Sequence, residues 1–192
     1  MSNDPIGRFK DLLTQADQAG IQLHNAAALA TTGSDGQATA RMVLLKEVDE
    51  AGFVFYTNLQ SRKARQLVEN PRAALCFWWA QLQRQVRVEG RVELVSDREA
   101  DEYFASRPRG SQLGAWASNQ SSELSSRAEL IAAVALLSAK YRDQTVPRPP
   151  YWSGYRLAPD LIEFWKEQPD RLHEREVYTR QASGWKITLL AP

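Results

Sequence analysis

The sequence predicts a mainly β protein with helices, an α+β chain whose strands form a small antiparallel barrel with helices at its ends. Three observations carry this. Short strand-like runs separated by turn chemistry fill the first half, a helical stretch interrupts them, and further strand runs close the chain. No repeat, low-complexity tract or linker divides it. Residues 1–192 therefore read as one domain, with a helix over 1–20, a helical insertion over 96–141 and closing strands over 154–192.

The first helix is signalled by Asp4 as N-cap, Pro5 in the first turn, and Ile6, Phe9, Leu12, Leu13 and Ala16 on one stripe; Gly20 ends it. Residues 26–32 and 37–45 flank Gly33-Ser34-Asp35-Gly36, which reads as a hairpin. A turn over 49–52 leads into the aromatic, β-branched run 53–58. Residues 61–70 then read as a short helix stopped by Pro71. Residues 72–80 form an apolar strand. In 84–95, Val86, Val88, Gly90, Val92 and Leu94 alternate with Arg87, Glu89, Arg91 and Glu93, as in a half-buried strand with a charged outer face.

Ser96 with Glu99 and Ser126 with Glu129 fit the capping-box pattern. The second opens an amphipathic helix bearing Leu130, Ile131, Val134, Leu136 and Leu137. Residues 107–122, rich in Gly, Ser, Arg and Gln, read as an irregular loop. After the proline-rich 146–150, strands are expected at 154–157, 161–165, 176–180 and 185–190.

Composition excludes several function classes. The formal net charge is +1, so no global basic field points to nucleic acid. One cysteine, Cys76, and two histidines give neither an internal disulfide nor metal-ligand spacing. Cys76 lies in an apolar run and reads as an inert buried thiol. With no apolar signal region at the N-terminus and no run of about 18 apolar residues, a soluble cytoplasmic protein without membrane contact is expected.

Four places hold candidate chemistry. In Arg41-Met42-Val43-Leu44-Leu45-Lys46, period 2 puts Arg41, Val43 and Leu45 on one face and Met42, Leu44 and Lys46 on the other. Tyr56, Thr57 and Asn58 precede Ser61, Arg62 and Lys63, where a helix start bearing cations can receive a phosphate. Tyr103, Arg107 and Ser111, with Gln120 and Ser121 following, form a second possible anion site. Trp165 leads to Arg171-Leu172-His173-Glu174-Arg175, whose basic groups would share one side if extended. Each place also has a plain structural reading: charges at strand ends, a solvated first turn, a surface loop, a satisfied histidine.

In this order the segments strongly resemble the pyridoxine/pyridoxamine 5′-phosphate oxidase family. The matching text is Arg-Met-Val-Leu-Leu-Lys at 41–46, Phe-Tyr-Thr-Asn at 55–58, Ser-Arg-Lys-Ala at 61–64 and Arg-Gln-Val at 84–86. Tyr-Phe-Ala-Ser-Arg-Pro-Arg at 103–109, Ser-Gln-Leu-Gly-Ala-Trp at 111–116 and Gln-Ser-Ser at 120–122 follow. Ile-Glu-Phe-Trp at 162–165, Arg-Leu-His at 171–173 and Trp-Lys-Ile at 185–187 complete it.

The resemblance implies an FMN-binding split barrel that works as a homodimer, with the flavin at the subunit interface and each site drawing on both chains. It assigns FMN contacts to Arg41, Met42, Val43, Leu44, Leu45, Lys46, Tyr56, Thr57, Arg62, Lys63, Gln85, Gln120, Ser121, Trp165 and Arg175. Substrate contacts fall on Lys46, Tyr103, Arg107, Ser111, Arg171, Leu172 and His173, with Arg171 and His173 beside the reacting carbon. The implied activity is oxidation of pyridoxamine or pyridoxine 5′-phosphate at C4′ to pyridoxal 5′-phosphate, with hydride passing to the flavin and O₂ giving H₂O₂.

Two departures stand out. Family members often carry a basic arm ahead of the first helix, and Met1–Asp4 leaves little of it, so lid contacts are expected to differ. Glu174 stands where Asp is frequent. The rival readings are a split-barrel flavin oxidase of another aromatic, such as a phenazine precursor, and a non-catalytic flavin or pyridoxal-phosphate binder. The phosphate set Lys46, Tyr103, Arg107 and Ser111 argues against the first, and the Arg171–His173 pair against the second.

Overall fold

The computed structural model describes residues 4–192; the start of the expected short arm, residues 1–3, lies outside the described residues. Helix α1 (Pro5–Gln18) opens as the sequence predicts: the Asp4 carboxylate accepts the Ile6 N–H at 3.0 Å, and Ile6, Phe9, Leu12 and Ala16 are buried. Phe9 anchors the main core, its ring centroid 4.9 Å from those of both Phe53 and Phe77.

The strands are β1 (Ala26–Thr32), β2 (Ala38–Leu44), β3 (Glu47–Asp49), β4 (Gly52–Asn58), β5 (Arg72–Trp79), β6 (Arg84–Leu94), β7 (Trp152–Lys166), β8 (Glu174–Gln181) and β9 (Gly184–Leu190). Helix α2 (Arg62–Glu69) joins β4 to β5. Helices α3 (Asp97–Ser106), α4 (Arg109–Ala117) and α5 (Arg127–Lys140) fill the insertion between β6 and β7. All nine strands belong to one antiparallel sheet, ordered β2-β1-β5-β6-β7-β4-β3, with β8 on β7 and β9 on β8.

The two ends of that order are neighbours in sequence. Only Leu45 and Lys46 separate β2 from β3, so the sheet must curl until its edges meet. The joint is bonded to both sides: Leu45 N–H donates to Asn25 O and Lys46 N–H to Val54 O, each at 2.8 Å. Closure therefore occurs within 41–46, the first of the four candidate places in the sequence.

Strand β7 is where the barrel splits. One edge pairs with β6 throughout, while the other takes β4 on residues 152–157 and β8 on residues 161–166. The sequence reading, with separate strands at 154–157 and 161–165, is corrected here: one strand of 15 residues runs through Pro159. The proline lies where β4 has left and β8 has not begun, so its missing N–H breaks neither pairing. A register shift at Glu89/Gly90 absorbs the irregularity, and a Cβ on Gly90 would lie 2.0 Å from Ala158 O.

Three further expectations are corrected. Residues 109–117 are helical rather than irregular, because Leu113 is buried and Gln112 donates its side chain to Phe104 O at 3.0 Å. Tertiary contacts override a glycine-containing sequence of weak propensity. Helix α5 buries no residue fully; Ile131 is 60% and Leu136 73% exposed, although Val134 and Leu137 lean on a small cluster of Phe104, Leu113, Tyr141, Val146 and Trp152. In β6 the alternation holds except at its end, where Leu94 is exposed.

Candidate active site

The inward and outward faces of β2 separate as period 2 requires. Thr39, Arg41 and Val43 are half-buried, with Leu45 buried beyond them, while Met42, Leu44 and Lys46 are exposed. Val43 and Leu45 thus turn their side chains toward the core. Inside, Arg41 donates to Thr31 Oγ1 and Thr39 Oγ1, each at 2.5 Å, and both hydroxyls donate to the buried Gln66 Oε1 at 2.7 Å. Gln66 carried no sequence signal: it is one polar residue in a short helix, and its role arises from where α2 packs.

Beside Arg41 the first turn of α2 brings Arg62 and Lys63. Lys63 is buried, and its Nζ donates to Gln120 Oε1 at 2.6 Å and Thr57 Oγ1 at 3.1 Å. The Arg62 N–H donates to Ser121 Oγ at 3.2 Å, with Ser121 itself at φ 72. Among the described residues none of Arg41, Arg62 and Lys63 forms an ion pair with a carboxylate. Burial, with Arg41 adding repulsion, pushes the Lys63 ammonium down to about 8. Burial, then Arg62, likewise lowers Arg41. Three unneutralised cations at a helix N-terminus lined with hydroxyl and amide groups form a cradle for an anion such as a phosphate monoester.

Thr57 and Gln120 connect this cradle to a cleft of about 530 Å³, whose walls bring together Leu44, Lys46, Tyr56, Tyr103, Arg107 and Ser111. Tyr103 stacks on Tyr56 at 4.0 Å and 16°, Trp152 on Tyr56 at 5.3 Å and 8°, and Tyr103 and Trp152 are themselves 6.1 Å apart, so the three rings form one near-parallel cluster. Burial first, then Glu47 and Glu99, pushes the Tyr56 phenol up to about 12, so it stays neutral. The Arg107 guanidinium lies 4.7 Å over Trp152, and its buried Nη1 has no hydrogen-bond partner. A buried donor left unpaired is costly, and an anion entering the cleft would satisfy it. Trp152, at the start of β7, was not singled out in the sequence, although a tryptophan heading a strand is a readable signal.

The remaining candidates lie elsewhere. Trp165, His173 and Arg175 line a second cleft of about 540 Å³ that shares no residue with the first. The sheet register sets Trp78, Gln85, Trp165, Arg175 and Leu190 opposite one another on five successive strands, so three candidates form one cross-strand row. The segment before β8 is not extended, which corrects the expected alternation of Arg171 and His173. Asp170 and Arg171 adopt φ 56 and 60 in a 3₁₀ turn, Arg171 and Leu172 are exposed, and His173 stands 4.6 Å from Trp165. Its Nδ1 accepts the Gln168 N–H at 3.2 Å, so a neutral ring carries its proton on Nε2.

Comparison with known proteins agrees across the chain. Residues 13–141 match the family described as pyridoxamine 5′-phosphate oxidase, and residues 152–192 match the pyridoxine 5′-phosphate oxidase C-terminal dimerisation region. A Myxococcus xanthus protein named pyridoxine/pyridoxamine 5′-phosphate oxidase is 57% identical over 189 residues, covering 98% of this chain and 92% of its own. A Thermosynechococcus vestitus protein of the same name is 54% identical, covering 100% and 90%. Among solved structures, PhzG from Burkholderia lata 383, in complex with tetrahydrophenazine-1-carboxylic acid, superposes with a TM-score of 0.94 at 36% identity over 100% of this chain and 94% of that one. A Nostoc punctiforme FMN-binding protein shares the fold, with a TM-score of 0.79 at 16% identity over the full length of both chains.

Proposed function

The chain belongs to the pyridoxamine 5′-phosphate oxidase family, and from that premise we propose that it is an FMN-dependent oxidase converting pyridoxamine or pyridoxine 5′-phosphate to pyridoxal 5′-phosphate. It is a homodimeric flavoenzyme, its C-terminal region being of the dimerisation type, and we place it in the cytoplasm. Among the described residues no helix is long and apolar enough to cross a membrane.

One observation carries the reading: Lys46, Tyr103, Arg107 and Ser111 share a cleft with an unsatisfied Arg107 donor, next to a separate unneutralised cradle of Arg41, Arg62 and Lys63. Two anion sites side by side suit a phosphorylated cofactor and a phosphorylated substrate together. The cradle fits the FMN phosphate, with Arg41, Arg62, Lys63, Thr57, Gln120 and Ser121 holding it. When bound, FMN supplies the hydride acceptor and the route to O₂.

The protein's own residues bind, orient and move protons. Arg107 would take the substrate phosphate bidentately, with Lys46 as a point charge and Tyr103 and Ser111 as hydroxyl donors. Gln85, Trp165 and Arg175, together with Arg171 and His173, would face this cleft from the other subunit. That arrangement accounts for the division of the candidates between two clefts of one chain. His173, with Nδ1 engaged by Gln168, would offer Nε2–H to the heteroatom on C4′ and help direct its proton. The outward Met42 and Leu44 would meet the flavin or the partner, and Val43 and Leu45 would contribute through backbone.

The likeness to PhzG favours a second reading, oxidation of a phenazine precursor. The test serves both. Purified protein should be yellow and release H₂O₂ with pyridoxamine or pyridoxine 5′-phosphate. Unphosphorylated vitamers should lose about 100-fold in kcat/KM, the size of one or two charged hydrogen bonds. A colourless protein, or turnover with phenazine precursors alone, would overturn the first reading.

A further inference from the structure

Glu163 is one of the most deeply buried charged groups in the molecule, at 2% exposure, and none of the roles described so far uses it. Its two oxygens are divided. Oε2 accepts Nη2 of Arg87 at 2.8 Å, and Oε1 accepts Nε of Arg175, also at 2.8 Å. Register explains the geometry: Arg87 stands directly opposite Glu163 across β6–β7, whereas Arg175 faces Trp165 and reaches Glu163 diagonally. A carboxylate behind the Gln85–Trp165–Arg175 row thus grips the last member of that row.

We propose that Glu163 is a positioning residue for the flavin site, fixing the guanidinium of Arg175 in the orientation that meets the cofactor. This rests on the reading that Arg175 contacts FMN. Arg175 is held on two edges, by Glu163 at Nε and by the Ala191 carbonyl at Nη1, 3.1 Å away. Among the described residues its Nη2 makes no hydrogen bond, and Arg175 lines the second cleft, into which that group can donate. A purely structural carboxylate would need only Arg87, which is also within 3.0 Å of Glu89 and so already lies between two acidic groups. The additional arm to Arg175 carries the buried charge out to the cleft wall. Arginine forks bonded on two edges lose little further freedom on binding, so orientation is set before the ligand arrives.

The test is FMN titration of apoprotein, followed by quenching of flavin fluorescence, for wild type, Glu163→Gln, Arg175→Ala and the double variant. Glu163→Gln should weaken FMN about tenfold, as loss of a supporting bond behind a ligand does. Arg175→Ala should weaken it more, and the double variant should bind no worse than Arg175→Ala alone. The visible absorption band of bound flavin should shift in the same direction in both single variants. Equal losses from Glu163→Gln in the presence and absence of Arg175, or unchanged FMN affinity, would overturn the positioning role. Wild-type affinity in Arg175→Ala would instead overturn the assignment of Arg175 to the flavin. Should Glu163→Gln fail to fold, Glu163→Asp gives the same test: it keeps the charge, shortens the reach to Arg175 by one methylene, and should weaken FMN when Arg175 is present but not in the Arg175→Ala background.

Discussion

The two clefts are built on opposite electrostatic plans. In the first, Lys46 and Arg107 lie beside Arg41, Arg62 and Lys63, and none of the five has a carboxylate partner among the described residues. In the second, Arg8 is tied to Glu176 at 2.7 Å and Arg175 to Glu163 at 2.8 Å, and His173 is held by Gln168 and Trp165. The first half leaves positive charge uncompensated, which attracts phosphates. The second pairs its principal arginine with a buried carboxylate, which would suit a planar ring that must be oriented rather than captured. A site shared between subunits, as proposed above, would allow each chain to carry both plans without its charges neutralising one another.

The largest effect tests whether the halves come from different subunits. Assayed at substrate well below the wild-type KM, Arg107→Ala and His173→Ala homodimers should each retain no more than about a tenth of wild-type activity. Mixed and refolded together, they should recover about a quarter of wild-type activity, because half of the dimers carry one intact composite site of two. No recovery would mean that both clefts of one chain serve one site. Next in size, His173→Ala should lower kcat about 100-fold while FMN stays bound if, as proposed, it removes a proton-handling donor and not a phosphate contact; flavin loss on gel filtration would show that the roles are reversed. Arg107→Ala should raise KM about 10- to 100-fold for phosphorylated substrate, with a much smaller effect on the unphosphorylated vitamer.

The smallest effect concerns pH. Lys63 titrates at about 8 in the ligand-free protein, below the ordinary lysine value of 10.5. Between those values the unfolded chain holds the extra proton, so this group makes ligand-free stability rise with pH across that window. FMN affinity should move the other way, falling by up to about tenfold per pH unit above 8 as the cradle loses a charge. Lys63→Arg should flatten both trends, which thermal melts of apoprotein and FMN titrations from pH 7 to 9 will read.

Much of this was legible in the sequence where one local rule dominates. Asp4 and Pro5 start α1, the capping box at Ser96 and Glu99 forms with both of its bonds, and period 2 sorts Arg41 inward and Lys46 outward. The illegible parts depend on distant partners. Helix α4 exists because α3 and Tyr141 give Leu113 somewhere to pack. Strand β7 passes Pro159 because Gly90, some seventy residues earlier, yields to it. Glu163 read as part of an aromatic strand, and nothing local reveals that two arginines from other strands converge on it. Likewise the left-handed turn at Asp170 and Arg171 carries no glycine to announce it.

The fork in β7 also constrains how the molecule can be made. Strand β4 pairs locally with β3 but finds its other partner only in residues 152–157, about a hundred positions downstream, so that edge of Phe53 must wait for Leu157. Pairings of such long sequence separation are slow to form, because loop-closure entropy is lost before the contact rewards it. On the ribosome the early hairpin can assemble at once, but the barrel cannot shut until β7 has emerged. The basic cradle at its closing joint would then be completed among the last events of folding, which makes FMN a natural ligand to trap the finished state and speed recovery in refolding experiments.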